Sequence, residues 1–226
     1  MTLYAFYGAL EQGFAFGLMV LGVYLTFRIL DFPDLTVDGS LPLGAAVSAV
    51  AITNGHSPYV AVAMATGAGF LAGMVTGILN TKLRILHLLA SILTMIALYS
   101  VNLRIMGRPN VTLLGQDSMI DHFMSLTGLP MFQSTPILFG IISVCVGLGL
   151  IWFLRTEIGQ TVLATGDNPR MITSLGVNTD NVIIFGVGLS NALVACSGAL
   201  VAQNQGAADV NMGVGTIVAG LASVII

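Results

Sequence analysis

The chain has 226 residues, of which 56% are hydrophobic and only 8% charged. Soluble domains carry about 25% charged residues, so this composition excludes a globular soluble fold and points to an all-α, polytopic transmembrane helical bundle. The net charge of −3 argues against a nucleic-acid partner, and the long Leu-, Ile-, Val- and Ala-rich runs lack the short alternating pattern of a membrane β-barrel.

A spanning helix needs about 20 mostly apolar residues. The first such run covers 3–27. It has no basic N-terminal residue and is interrupted by Glu11, so it does not read as a signal peptide. Glu11 lies about 12 Å into this span at 1.5 Å rise per residue. An intramembrane carboxylate is a functional candidate by default. The structural alternatives are a place among the outer headgroups or a pairing with Gln12 and a neighbouring helix.

The polar break 28–40 comes next, then a short apolar run at 41–54. That run either crosses the bilayer or begins inside the protein as a half-helix. Asp34, Asp38 and Ser40 stand at its start. Asp38 or Ser40 is expected to cap it. Broken helices near the membrane midplane line substrate paths in transporters, so Asp34, Asp38 and Ser40 join Glu11 as candidate translocation-path residues.

Further spans are predicted at 58–79, 86–106, 135–154 and 182–204. A last apolar run, 213–226, is too short to cross, and the natural protein is expected to continue beyond it. The count is six to seven spans or half-spans in one transmembrane domain over 1–226. Gly69, Gly73 and Gly77 share one helix face, as do Gly13 and Gly17, a spacing that lets helix backbones approach closely. Asn102 and Asn191 sit inside spans, where hydrogen bonding between helices is the default; Asn191 is also a path candidate. Cys145 and Cys196 read as small buried residues. His56, His87 and His122 share no ligand spacing, so no metal site is expected.

The basic residues orient the chain. With alternating breaks, Arg28, Lys82, Arg84, Arg155 and Arg170 fall on one side and Arg104 and Arg108 on the other. The richer side is cytoplasmic, which puts the N-terminus outside. The loop 107–134 is then external, and loop 155–181 is cytoplasmic.

Within that cytoplasmic loop lies "NPRMITSLG", residues 168–176. Asn168 is a preferred N-cap, Pro169 suits the first helical position, and Gly176 suits the left-handed residue that ends a helix. Two turns of helix are predicted over 169–175, with Met171, Ile172 and Leu175 on one face. So short a helix is marginal alone in water. Its apolar face is covered either by the bundle and lipid interface or by a groove on a cytoplasmic partner.

"GDNPRMITSLGVNTDN" resembles the cytoplasmic loop of ABC-importer permeases of the branched-chain amino acid and ribose type. In that family a Gly, an Asn, a short helix and a Gly-hydrophobic pair precede the next span, here Gly166, Asn168, the helix and Gly176-Val177. The family usually has alanines where this chain has Met171, Ile172 and Thr173. "FPDLTVDGSLPLGAAVSA", 32–49, is similar to the segment opening an early helix in sugar permeases of the family, with Asp38 inserted. It is closer still to an uncharacterised permease subgroup linked to amino acid uptake.

The resemblance implies a non-enzymatic permease subunit in the bacterial cytoplasmic (inner) membrane. It implies an ABC ATPase partner that binds ATP and Mg, a periplasmic or lipid-anchored substrate-binding protein, and a second permease copy, with the substrate moving along the dimer interface. Asn168, Pro169, Arg170, Met171, Ile172, Leu175 and Gly176 would form the ATPase-coupling helix. Loop 107–134, with Arg104, Arg108, Asp117 and Asp121, would dock the binding protein. The motor must be separate, because the single lysine, Lys82 in "NTKLR", follows no glycine-rich phosphate loop. No cofactor is expected in this chain. The expected cargo is a small polar solute, an amino acid first. The alternative is a self-contained ion-coupled secondary transporter using Glu11 and the 31–40 break. An intramembrane enzyme is disfavoured, since no catalytic constellation is apparent.

Overall fold

The computed structural model describes residues 3–128 and 130–225. Leu129, inside the predicted external loop, and the residues at either end of the chain lie outside the described residues. The elements in chain order are α1 (Leu3–Tyr24), α2 (Val37–Thr53), α3 (Pro58–Thr81), α4 (His87–Met106), β1 (Asn110–Thr112) and α5 (Met119–Thr127). They continue with α6 (Met131–Leu154), α7 (Glu157–Asp167), α8 (Pro169–Ser174), α9 (Thr179–Gln205), β2 (Ala207–Asp209) and α10 (Thr216–Ile225). Among the described residues five helices are long and apolar enough to cross a membrane: α1, α3, α4, α6 and α9. α2 and α10 are shorter apolar helices of 17 and 10 residues.

α9 is the hub, packed against α1, α2 and α3. Its sequence explains this. Gly186, Gly188, Ser190, Ala195, Ser197 and Gly198 carry almost no side-chain bulk, so three helices approach its backbone. On α3 the predicted glycine face meets it: a Cβ on Gly69, Gly73 or Gly77 would strike the α9 backbone at Asn191, Val187 or Ile184. α9 hydroxyls also reach α1 carbonyls. Ser190 Oγ donates to Gly22 at 2.7 Å and Ser197 Oγ to Ala15 at 2.6 Å. The second glycine pair behaves differently. Gly13 and Gly17 have nothing within 4 Å of their Cβ positions, so they mark open surface and not a helix crossing.

α6 stands at the edge against α1, with Ile141, Val144, Leu148 and Trp152 exposed as an apolar stripe. Cys145 lies on this exposed side, contrary to the expectation of burial; Cys196 is buried.

The ends of the bundle are built differently. At one end β1 and β2 pair antiparallel, with Val111 opposite Ala208. Gln203 ties this end together, accepting from Met119 N at 3.1 Å and donating to Ser48 Oγ at 3.2 Å. The predicted loop 107–134 is therefore a folded cap containing β1 and α5, and its last residues already belong to α6. Asp121 serves a capping box with Ser118 there, while Arg104, Arg108 and Asp117 are exposed. At the opposite end Lys82 pairs with Asp180 at 3.3 Å, joining the end of α3 to the start of α9.

Candidate functional site

Loop 155–181 holds two helices, not one. α7 has local signals of its own: Thr156 caps it, accepting from Gly159 N at 3.3 Å, and Val162 is buried. Thr156-Glu157 followed by spaced apolar residues is the local sequence signal for this helix start. α7 lies tightly on the end of α1. The residues after Tyr24 form one wide helical turn, Leu25–Ile29, and Gly166 sits so close to the Ile29 carbonyl that no side chain would fit. Leu25, Ile29, Leu30, Phe32, Val162 and Val187 form one buried cluster there.

α8 follows α7 with only Asn168 between. Its ends are built as the sequence indicates. Asn168 Oδ1 accepts from Met171 N at 3.1 Å, and Gly176 adopts φ +88°, a conformation L side chains rarely hold. The expected shared apolar face is not present. Ile172 points inward and is buried, whereas Met171 and Leu175 are 58% and 69% exposed. The first and second of these residues are adjacent in sequence, so about 100° of helix separates them, and the bundle takes one and leaves the other. Arg170 is exposed beside them.

The second candidate region is the break between α1 and α2. Asp34 is fully buried. It accepts from Thr36 N at 2.8 Å and from Asn191 Nδ2 at 2.7 Å. Thr36 Oγ1 lies 2.9 Å from Thr76 Oγ1 on α3. Asn191 sits about 18 Å along α9 at 1.5 Å rise per residue, close to that helix's midpoint. The break thus turns back into the bundle, and α2 starts near mid-depth as a half-helix. The Asn102 amide bridges α4 and α2 as expected, whereas the Asn191 amide reaches the break between α1 and α2 and no second helix. Asn102 Nδ2 donates to Gly39 O at 3.3 Å, and Asn191 holds Asp34.

Asp38 does not cap α2, and neither does Ser40. Ser40 Oγ turns to Val37 O at 3.3 Å, and Thr36 occupies the N-cap position with its hydroxyl on Thr76 and no side-chain cap bond to the helix backbone. Asp38 instead caps α10 across the chain. Its carboxylate accepts from Gly215 N at 3.1 Å, Thr216 Oγ1 at 3.1 Å and Ile217 N at 2.8 Å. A carboxylate at a helix N-terminus satisfies orphan N–H groups and meets the positive end of the helix dipole. α10 then runs along Met19, Val23 and Phe27 towards the Arg28 end of the bundle. Two half-helices therefore start back to back on Asp38, α2 running towards the β1–β2 end of the bundle and α10 towards the Arg28 end. No local sequence signal could give this, because the partners are far apart in the chain.

Glu11 lies elsewhere. Its carboxylate accepts from Asn204 Nδ2 near the Gln205 end of α9. Asn204 is about 20 Å along that helix from Asn191. Glu11 and the 31–40 break are separate places, so the ion-coupled alternative loses its joint site. Among the described residues no group of three or more His, Cys, Asp or Glu side chains is placed to hold a metal.

A permease component of the branched-chain amino acid transport system describes the family whose model matches residues 6–226. The chain belongs to this permease family. It is 46% identical to a tyrosine transport system permease protein of Clostridioides difficile, over 96% of this chain and 70% of that one. A galactofuranose transporter permease protein of Escherichia coli is 31% identical over 79% of this chain and 50% of its own. An autoinducer 2 import system permease protein of Yersinia pseudotuberculosis is 29% identical over 76% and 48%. No solved structure matches the chain. With its five candidate spans, the permease is a multi-pass protein of the bacterial inner membrane and the transport subunit, not the enzyme, of an ABC importer. Membership implies an ATPase partner and a substrate-binding partner.

Proposed function

We propose that this permease carries an amino acid across the inner membrane and is driven by an ABC ATPase that grips α8. The observation that carries the coupling reading is α8 itself: a short helix fixed at both ends, with Met171 and Leu175 left exposed beside Arg170. Two large apolar side chains on so short a polar loop are an anchor for a partner's groove.

The force would travel by rigid contact. α8 is joined to α7, α7 rests on the wide turn 25–29, and that turn leads into the buried Asp34 break and the start of α2. A displacement of α8 therefore moves the junction of α2 and α10, where Asp34, Asp38, Ser40 and Asn191 border the path. Glu11 would stand at its outer mouth. Such movement of packed elements is rigid-body coupling. A second permease copy would complete the path, ATP and Mg would stay in the ATPase, and the outer cap of β1, β2 and α5 would receive the binding protein. An amino acid cargo is supported by the 46% identity to a tyrosine transport system permease.

The test is purification of the full-length permease in mild detergent with its ATPase. The wild type is expected to retain the ATPase. Leu175→Asp is expected to lose most of it, with retention down about tenfold or more, since a charge placed in an apolar groove costs several kcal/mol unless paired. Retention equal to wild type would overturn the coupling role of α8.

A further inference from the structure

We infer that the cavity beside the α2–α10 junction is a substrate subsite, which holds the ammonium group of an amino acid at Asp38 and Asn102 and its bulky apolar side chain against Met95, Ile96 and Tyr99. The inference rests on the amino-acid importer reading. The cavity measures about 360 Å³ and lies between the first turn of α2, the middle of α4 and the segment that leads into α10. Small-molecule sites fall in the range of roughly 300–1,000 Å³, mostly apolar with a few placed polar groups.

Two polar groups here are left incomplete by the protein. Asn102 lines the cavity and is fully buried, yet its Oδ1 has no hydrogen-bond partner. Its Nδ2 is already given to Gly39 O, which fixes the amide. A buried acceptor left unmade is costly, and a donor supplied by a ligand removes that cost. Asp38 lines the same cavity. Three donors of the α10 N-terminus reach its two oxygens, two on Oδ1 and one on Oδ2. A carboxylate has about four acceptor positions, so Oδ2 keeps one. Among the described residues the ion pair found is Lys82–Asp180, so no cation balances Asp38. Two acceptors, one of them anionic, call for a cationic donor with several N–H groups, which a primary ammonium provides.

The remaining wall chooses the side chain. Met95, Ile96, Val210 and Val214 are apolar, and Tyr99 offers a ring. An aromatic or large aliphatic amino acid fits such a wall; a sugar, with hydroxyls all round and no charge, does not.

The experiment is uptake into proteoliposomes holding the full-length permease, its ATPase and one wild-type binding protein, with labelled tyrosine, leucine, alanine and galactose supplied separately. The binding protein is constant, so changes in selectivity come from the permease. Asn102→Leu is expected to raise the KM for tyrosine about tenfold, and Ile96→Trp, which fills the cavity from an exposed position, to lower the tyrosine-to-alanine uptake ratio by about the same factor. Ile96 is 59% exposed, so its replacement does not depend on repacking the core. Tyrosine uptake with a ratio and KM within about twofold of wild type in both variants would overturn the subsite and leave the importer reading standing. Uptake of galactose with no amino acid uptake would overturn the subsite together with the amino acid reading.

Discussion

Gly44→Val is expected to yield no folded permease. A Cβ at Gly44 would sit on the carbonyl oxygen of Ala195, and a Cβ at Gly198 on the carbonyl oxygen of Leu41. These two glycines form both sides of the α2–α9 crossing. Overpacking among side chains costs typically 1–3 kcal/mol because rotamers can yield. Here the obstacle is backbone, so α2 itself must move away from α9. That displacement would pull Asp38 off α10 and Asn102 off Gly39. The check is elution of the detergent-solubilised protein: an aggregate peak for Gly44→Val and Gly198→Val, and a wild-type peak for Gly149→Val, whose Cβ position has nothing within 4 Å. A monodisperse Gly44→Val protein of normal thermal stability would contradict this packing.

Asp34→Leu is expected to cause the second largest loss. The substitution removes the acceptor of two buried donors, Thr36 N and one Asn191 N–H. Each buried donor left unsatisfied costs roughly 1–3 kcal/mol. Asp34→Asn is expected to lose much less. It keeps an acceptor for Thr36 N, and rotation of the Asn191 amide would turn its unpartnered Oδ1 towards the new amide at the cost of the Asn191 Nδ2 bond to Val187 O. The measurement is the thermal midpoint of the purified protein, ordered wild type, then Asp34→Asn, then Asp34→Leu. Equal midpoints for the two variants would show that the buried hydrogen bonds do not hold the break.

Much of this was legible in the sequence, for physical reasons that can be named. Long apolar runs announce spans because lipid forces backbone satisfaction within a helix. The ends of α8 were legible because Asn168 and Gly176 act on their own neighbours. The stripe Gly69, Gly73, Gly77 announced a crossing, although its partner α9 was not specified. The failures share a cause. Asp38 caps a helix whose first residue is Thr216, and Asp34 meets Asn191; neither partner is near in sequence. Gly13 and Gly17 repeat the spacing of a crossing with no helix beside them, so spacing alone does not say which face is covered. Ile172 was grouped with Met171 and Leu175 by helical spacing, but burial divides them because α8 lies against the bundle on one side only.

Transport by this permease is proposed to depend on the ATPase holding α8. The most direct measurement is site-specific cross-linking in intact membranes, with Cys145 and Cys196 replaced and one new cysteine introduced by Leu175→Cys. The expected result is a product at the combined mass of permease and ATPase, with a yield that changes when ATP is added. A matched Leu114→Cys protein, with its cysteine in the outer cap where Leu114 is exposed, should give no such product. Efficient cross-linking of Leu175→Cys to lipid or to a second permease only, with none to an ATPase that is present, would contradict that role of α8.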